Sequence, residues 1–423
     1  MIPPMKPFDS PALAQGKLAF VAIAIASGIV ITLSGAPAAG PVKFEAHDID
    51  PKLPGAYAVN IADFNNDGKL DVIANSLAAR ELAWYENPTW ERHVIASDTA
   101  QIVNQAPADL NGDGIPELAF QSSFAMQAQK SEGLNWLARS QGPGQPWKME
   151  KIDAFPTSHH IVWADLDGDG KKELINAPLI GAGSLAPTYD QDKASVFWYD
   201  QATWKRHIIT EAIPGIIHRV RPVKWDNGKS DQLLIASFEG IVMYRATGRG
   251  EAMKFEKVVL SNGHEEKAPR LGASDVGVGV QDGKRFFASV EPWHGNEVVV
   301  YTQAAGVPGG AEARQQWTRR VIFDKIASGH EIAVVDLNGD GRDDIVANDN
   351  AVKSQRNPDG PMGGVHIFYA PEDPAKGEWT YQRLEDQAGM NSCVGVDINK
   401  DKKNDLVCGG ASGVVRWYEN KGK

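Results

Sequence analysis

The sequence predicts an all-β fold, a seven-bladed β-propeller with four antiparallel strands per blade, and three repeating features lead there. An acidic loop recurs along the chain, a short strand ending in an aromatic residue recurs seven times, and a spare strand near the N-terminus completes the last set. Self-similarity of this kind outranks any domain count taken from length.

The acidic loops are DFNNDGKLD (63–71), DLNGDGIPE (109–117), DLDGDGKKE (165–173), DLNGDGRDD (336–344) and DINKDKKND (397–405). Each lies between two short apolar runs, which we name strands A and B. Strand C follows as LAWYEN, LNWLAR, VFWYD, IVMYR, VVVYT, HIFYA and VRWYEN. Strand D follows strand C as ERHVI, KMEKI, KRHII, KFEKVV, TRRVI and YQRLE, one short of seven. The missing outer strand is VKFEAHDI (42–49). A first strand that joins the last blade closes the ring and removes its open edge. Blades four and five carry WDNGKSDQ (225–232) and QDGKRFF (281–287) at the loop position, which is ordinary turn chemistry.

The chain has 423 residues and a formal charge of −11, with no basic stripe to engage nucleic acid. Residues 1–40 hold lysines, then the apolar run LAFVAIAIASGIVITL, then small residues, the order of an export signal cleaved near Ala38. The alternative is an uncleaved anchor, the one segment through which the protein would meet a membrane. The propeller then spans 41–423, in a periplasmic or extracellular protein. Cys393 and Cys408 flank the last acidic loop symmetrically and can face each other across a hairpin, bridged or as two buried thiols.

Oxygen ligands at alternate loop positions, a glycine for the turn and an acid in ninth place follow calcium-loop logic without flanking helices. The candidate ligands are Asp63, Asn65, Asp67 and Asp71; Asp109, Asn111, Asp113 and Glu117; Asp165, Asp167, Asp169 and Glu173; and Asp336, Asn338, Asp340 and Asp344. The fifth loop has Lys402 in place of glycine. The competing reading is that Asp and Asn only cap tight turns. In either case these loops pin hairpins and do no chemistry.

Six residues before the first loop Asp lies the entrance of strand A, at the channel end away from the acidic loops. That position holds Tyr57, Val103 followed by Asn104, His159 followed by His160, His218, Asp275, His330 and Asn391. His294, on the B–C connection of blade five, reaches the same mouth. Three neutral imidazoles are a usual catalytic zinc set with one position left for water or substrate. The B–C connections there are long in 176–195 and 348–364, as befits the wall of a pocket. His47, His93 and His207 recur on strand D and read as surface ladder residues.

The repeats resemble the VCBS/FG-GAP class, which fixes fold only. GIIHRVRPVKW, SDQLLIASFEGIVMY, EPWHGNEVVVYT, QQWTRRVI and GHEIAVVDLNGDGRDD more closely resemble the propeller domain of aldos-2-ulose dehydratase. That resemblance implies a zinc ion in the propeller cleft and removal of water from glucosone or 1,5-anhydrofructose. It places His159, with His160 as its neighbouring rival, at the proton acceptor, and His218, His294 and His330 at zinc. The family's cupin domains, which carry a later isomerisation, have no counterpart in this sequence. Tyr57, Asn104, Asp275 and Asn391 are expected to contact sugar hydroxyls. The expectation is therefore an exported, zinc-dependent carbon–oxygen lyase acting on a small keto-sugar. The rival is a calcium-stabilised propeller that binds carbohydrate or protein without chemistry.

Overall fold

Four-stranded hydrogen-bonded sheets repeat seven times around an axis in the computed structural model, which describes residues 40–225, 228–303, 317–352, 362–385 and 388–423. Each ladder runs A–B–C–D from the axis outward, and no α-helix occurs among the described residues. Strand A is Ala56–Ala62, Asn104–Ala108, Ser158–Ala164, Ile217–Val223, Asp275–Gln281, Gly329–Val335 and Ser392–Val396 in blades one to seven. The closing strand is Lys43–Asp50, antiparallel to Val414–Gly422, with Phe44 opposite Asn420 and His47 opposite Trp417. The export signal expected in 1–40 falls, but for Gly40, outside the described residues.

The strand C aromatics explain why the blades stack. Tyr85, Tyr199, Tyr301 and Tyr418 are fully buried between neighbouring blades. Burial of a phenol demands a partner for its hydroxyl. Tyr85 donates to Asp50 (2.6 Å), Tyr199 to Asp153 (2.8 Å) and Tyr418 to Glu385 (3.2 Å), each acid lying on or at the end of the outer strand of the preceding blade. Apolar clusters such as Ile175, Trp198, Ile235 and Tyr244 likewise join side chains of adjacent blades.

The surface-ladder reading of the strand D histidines also has a physical form. His93 stacks on Trp84 at 4.2 Å and His207 on Trp198 at 4.1 Å, directly across the C–D pair. Cys393 and Cys408 are opposite each other in blade seven and joined by a disulfide.

Candidate metal centre at the channel mouth

Four inner strands depart from regular pairing, and they are the four that supply the central rings. The A–B register slips between Ala56 and Val59, Ser158 and His160, Ile217 and Arg219, and Gly329 and Ile332. Strand A of blades two, five and seven pairs without a slip. A bulge adds a residue and re-aims side chains that strict alternation would send to opposite faces. Two consecutive residues can therefore turn to the axis. Tyr57, His159, His218 and His330 form the upper tier; Ala58, His160, Arg219 and Glu331 line the channel below.

The upper tier is compact. Ring centres of His218 lie 5.2 Å from His159, 5.0 Å from His294 and 4.8 Å from His330, and His294 is 5.0 Å from His330. The four histidines expected at the mouth thus meet at one point. One ring nitrogen from each of His218, His294 and His330 falls within 4.8 Å of the others, a set that can hold a metal ion. His218 Nδ1–H donates to the Ser274 carbonyl and His330 Nδ1–H to the Asn391 carbonyl, both at 2.9 Å. This fixes both rings with Nε2 bare, the outer-shell arrangement that orients imidazole ligands. The Nε2 atoms of His218 and His294 are 3.2 Å apart. Two nitrogens about 2.0–2.1 Å from one ion at the tetrahedral angle would stand about 3.3 Å apart, so the donor set fits zinc.

Burial acts on the whole cluster. It pushes His159 and His218 well below the ordinary imidazole range, with His330 the next cause. His294 is lowered to about 3 and His330 to about 4, again by burial first. The rings are neutral and keep the lone pairs that a metal requires. Burial, then Glu331, raises Tyr57, which stays a phenol.

Tyr57 lies at the centre, its hydroxyl 2.9 Å from His330 Nε2 and 3.3 Å from His159 Nε2. The other residues expected to touch sugar also make hydrogen bonds inside the protein. Asp275 is fully buried, accepts from Val276 N (2.7 Å) and Ile332 N (2.9 Å), and pairs with Arg219 (3.1 Å) and Arg221 (3.3 Å). Asn391 donates to the Ala56 carbonyl (2.9 Å), and Asn104 accepts from Ile161 N (3.4 Å). These three hold strands in place.

Sequence reading missed the floor of the site. Arg219 bridges Asp275 and Glu331 and donates from Nη1 to His160 Nε2 at 2.8 Å. This charged layer separates the imidazole cluster from a 510 Å³ cavity running along the inner strands toward Lys172. It also separates the two adjacent histidines. His160 has its Nε2 lone pair taken by Arg219 and His159 Nε2 faces Tyr57, while Nδ1 of both rings is buried with no hydrogen-bond partner. The roof is apolar, from the B–C connections: Phe124 packs 5.3 Å from His159, Trp293 4.9 Å from His294, and Phe238 and Tyr189 against Trp293. The expected loop 348–364 lies partly outside the described residues.

At the other rim the loops are capped turns. Asp63, Asp109, Asp165 and Asp336 each accept two or more amides of their own loop, as does Asp397 in the fifth copy. The ninth-place acids turn inward, a departure from the expected ligand role. Asp71 accepts from Phe64 and Asn87, Glu117 from Leu110, Glu173 from Leu166, and Asp344 from Leu337 and Ala370. Asp165, Asp167 and Asp169 converge closely enough to hold a cation. In three others a base pairs with the fifth-place acid: Lys69 with Asp67 (2.8 Å), Arg342 with Asp340 and Lys403 with Asp401 (2.5 Å).

A family model for the FG-GAP-like repeat matches residues 63–120, and one for the aldos-2-ulose dehydratase β-propeller domain matches 133–304. The chain resembles that propeller. A curated relative, aldos-2-ulose dehydratase of Phanerodontia chrysosporium, is 25% identical over 260 residues, 56% of this chain and 27% of the relative. The chain thus matches about a quarter of that protein's length. The resemblance read from the sequence is borne out, and His159, His218 and His294 lie inside the matched region. A crystal structure of BBS1N in complex with ARL6DN, soaked with lead, superposes with a TM-score of 0.52 over 90% of this chain and 98% of its own, at 10% identity. It shares the fold alone.

Proposed function

We propose that this propeller is a zinc-dependent hydro-lyase that removes water from a keto-sugar such as 1,5-anhydrofructose or glucosone. The convergence of His218, His294 and His330, two of them pinned through Nδ1 to backbone carbonyls, carries the reading. The likeness to aldos-2-ulose dehydratase supports it. Bound there, zinc would polarise the ketone oxygen and stabilise the enolate formed when the α-proton leaves.

The chain's own residues divide the remaining work. His159 is the base, because it lies in the imidazole cluster and no cation holds either of its ring nitrogens. His160 is not: Arg219 holds its Nε2, so the ring proton is on Nδ1 and no lone pair remains. Arg219, fixed by Asp275 and Glu331, braces strands of blades three to six beneath the cluster. The roof of Phe124, Tyr189, Phe238 and Trp293 keeps bulk water from the enolate. The Cys393–Cys408 disulfide suits export to an oxidising compartment. Calcium is our proposal for the Asp165–Asp167–Asp169 loop, where its role is structural.

Elemental analysis of purified protein tests the metal: about one zinc per chain, lost in His218→Ala and in His330→Ala. Incubation with 1,5-anhydrofructose should then raise the ultraviolet absorbance of a conjugated enone. Calcium without zinc, and flat traces across a panel of keto-sugars, would leave a binding propeller instead.

A further inference from the structure

We infer that the cleft between blades one and two binds a saccharide chain, whose pyranose rings stack on Trp136 and Trp147. The inference stands apart from the metal centre and does not need the lyase reading. It starts from a gap in the repeat. Near the acidic rim, one strand C residue of each blade packs against the preceding blade and wedges the seam. In six blades that residue is Tyr85, Tyr199, Tyr244, Tyr301, Phe368 or Tyr418. In blade two it is Ala138, opposite Leu118. The seam between blades one and two therefore lacks a wedge. Neighbours of Ala138 in the same apolar cluster, Phe64, Trp84, Trp136, Trp147 and Met149, instead wall a cavity of 1090 Å³.

Trp84 is taken up by stacked contacts with Phe64 (5.6 Å) and His93 (4.2 Å), whereas Trp147 meets Phe64 edge to face. Trp136 and Trp147 are half-buried, so indole surface remains for a guest. Trp136 is held in place by its Nε1–H, which donates to Ser122 Oγ at 3.0 Å. The rest of the lining is polar. Glu86 and Asp98 accept, Arg92 donates, and Ser140 and Gln145 do both. Glu86 and Arg92 are already oriented, by His93 (2.9 Å) and Glu81 (2.7 Å). An electron-rich indole face attracts the polarised C–H groups of a sugar ring, while hydroxyls around the ring both donate and accept. A proline-rich segment also favours aromatic grooves, but its prolines have no N–H to give Glu86 and Asp98. Nucleobases stack on indoles too, yet their phosphates would meet a chain of net charge −11. The volume lies at the top of the small-ligand range, which suits a chain more than a single sugar.

The test is calorimetric titration of the full-length protein with maltohexaose, cellohexaose and xylohexaose, and with a decaproline peptide. At least one saccharide should bind, and Trp147→Ala should weaken it about tenfold, the usual effect of losing a stacked ring. Trp147→Phe keeps a ring and should retain most of the affinity, with an unfolding midpoint like that of the wild type. Glu86→Gln should weaken binding several-fold. Val94→Arg, at a 42% exposed position of the cavity wall, should block it without disturbing the packing beneath, and it carries the test should Trp147→Ala not fold. Silence from all three saccharides would overturn the site. So would a saccharide held equally by wild type and Val94→Arg, or a preference for decaproline. None of these outcomes bears on zinc or on elimination, so the lyase reading stands or falls separately.

Discussion

At the acidic rim, Asp63, Asp109, Asp165, Asp336 and Asp397 turn both carboxylate oxygens to amides of their own turns. At the opposite mouth, His159 keeps a nitrogen without any partner, and His218, His294 and His330 present theirs only to one another and to Tyr57. The rim is satisfied locally, with each polar group answering a backbone group a few residues away. The mouth is assembled from distant blades and is left unsatisfied toward its own centre. Buried polar atoms without partners are costly, and they persist where a ligand completes them. The contrast separates turns that close on themselves from a cluster assembled across blades.

That contrast can be broken by substitution. His330→Ala should abolish zinc uptake, a loss of affinity beyond the 10- to 100-fold typical of outer-shell changes. Asp63→Ala should leave zinc uptake intact, as metal titration would show; equal losses would erase the distinction. Asp275→Ala strips the buried Arg219 of one of its two acids and should cost about 3–5 kcal/mol in urea unfolding, the range for an orphaned buried charge.

A smaller effect concerns Asp344, which burial pushes up to about 7. Its unfolded carboxyl titrates near 4. Between those values the folded chain binds the extra proton, so this residue lowers stability as pH rises through the window. Asp344→Asn should flatten that slope in unfolding midpoints measured from about pH 4 to 7; an unchanged slope would return the group to the ordinary range. Smallest is Lys402→Gly. Lys402 takes φ +70° where the other four loops place Gly68, Gly114, Gly170 and Gly341. Relief of a left-handed side chain should add about 1 kcal/mol, and a loss would mean that the exposed lysine makes a contact of value.

Much of the frame was legible because it repeats. The strand C aromatics became the buried tyrosines between blades, and the spare strand at 42–49 became the closing strand Lys43–Asp50. The position six residues before the loop gathered Tyr57, His159, His218 and His330, since identical spacing in each blade puts identical registers at one height. The bulges escaped notice because a slip is a property of pairing between strands, not of either strand read alone. Arg219 and Glu331 escaped for a similar reason, being partners across blades four and six. Asp275 sat at the right height for the wrong purpose: its blade has no slip, and its carboxylate serves two arginines and two amides.

The closing ladder between Lys43–Asp50 and Val414–Gly422 has a consequence for how the molecule comes to exist. During synthesis the first strand must wait, unpaired and in solution, while every later blade is translated. Loop closure across such a distance is slow. The ring therefore locks last, and Tyr57 of blade one meets His330 of blade six only when it does.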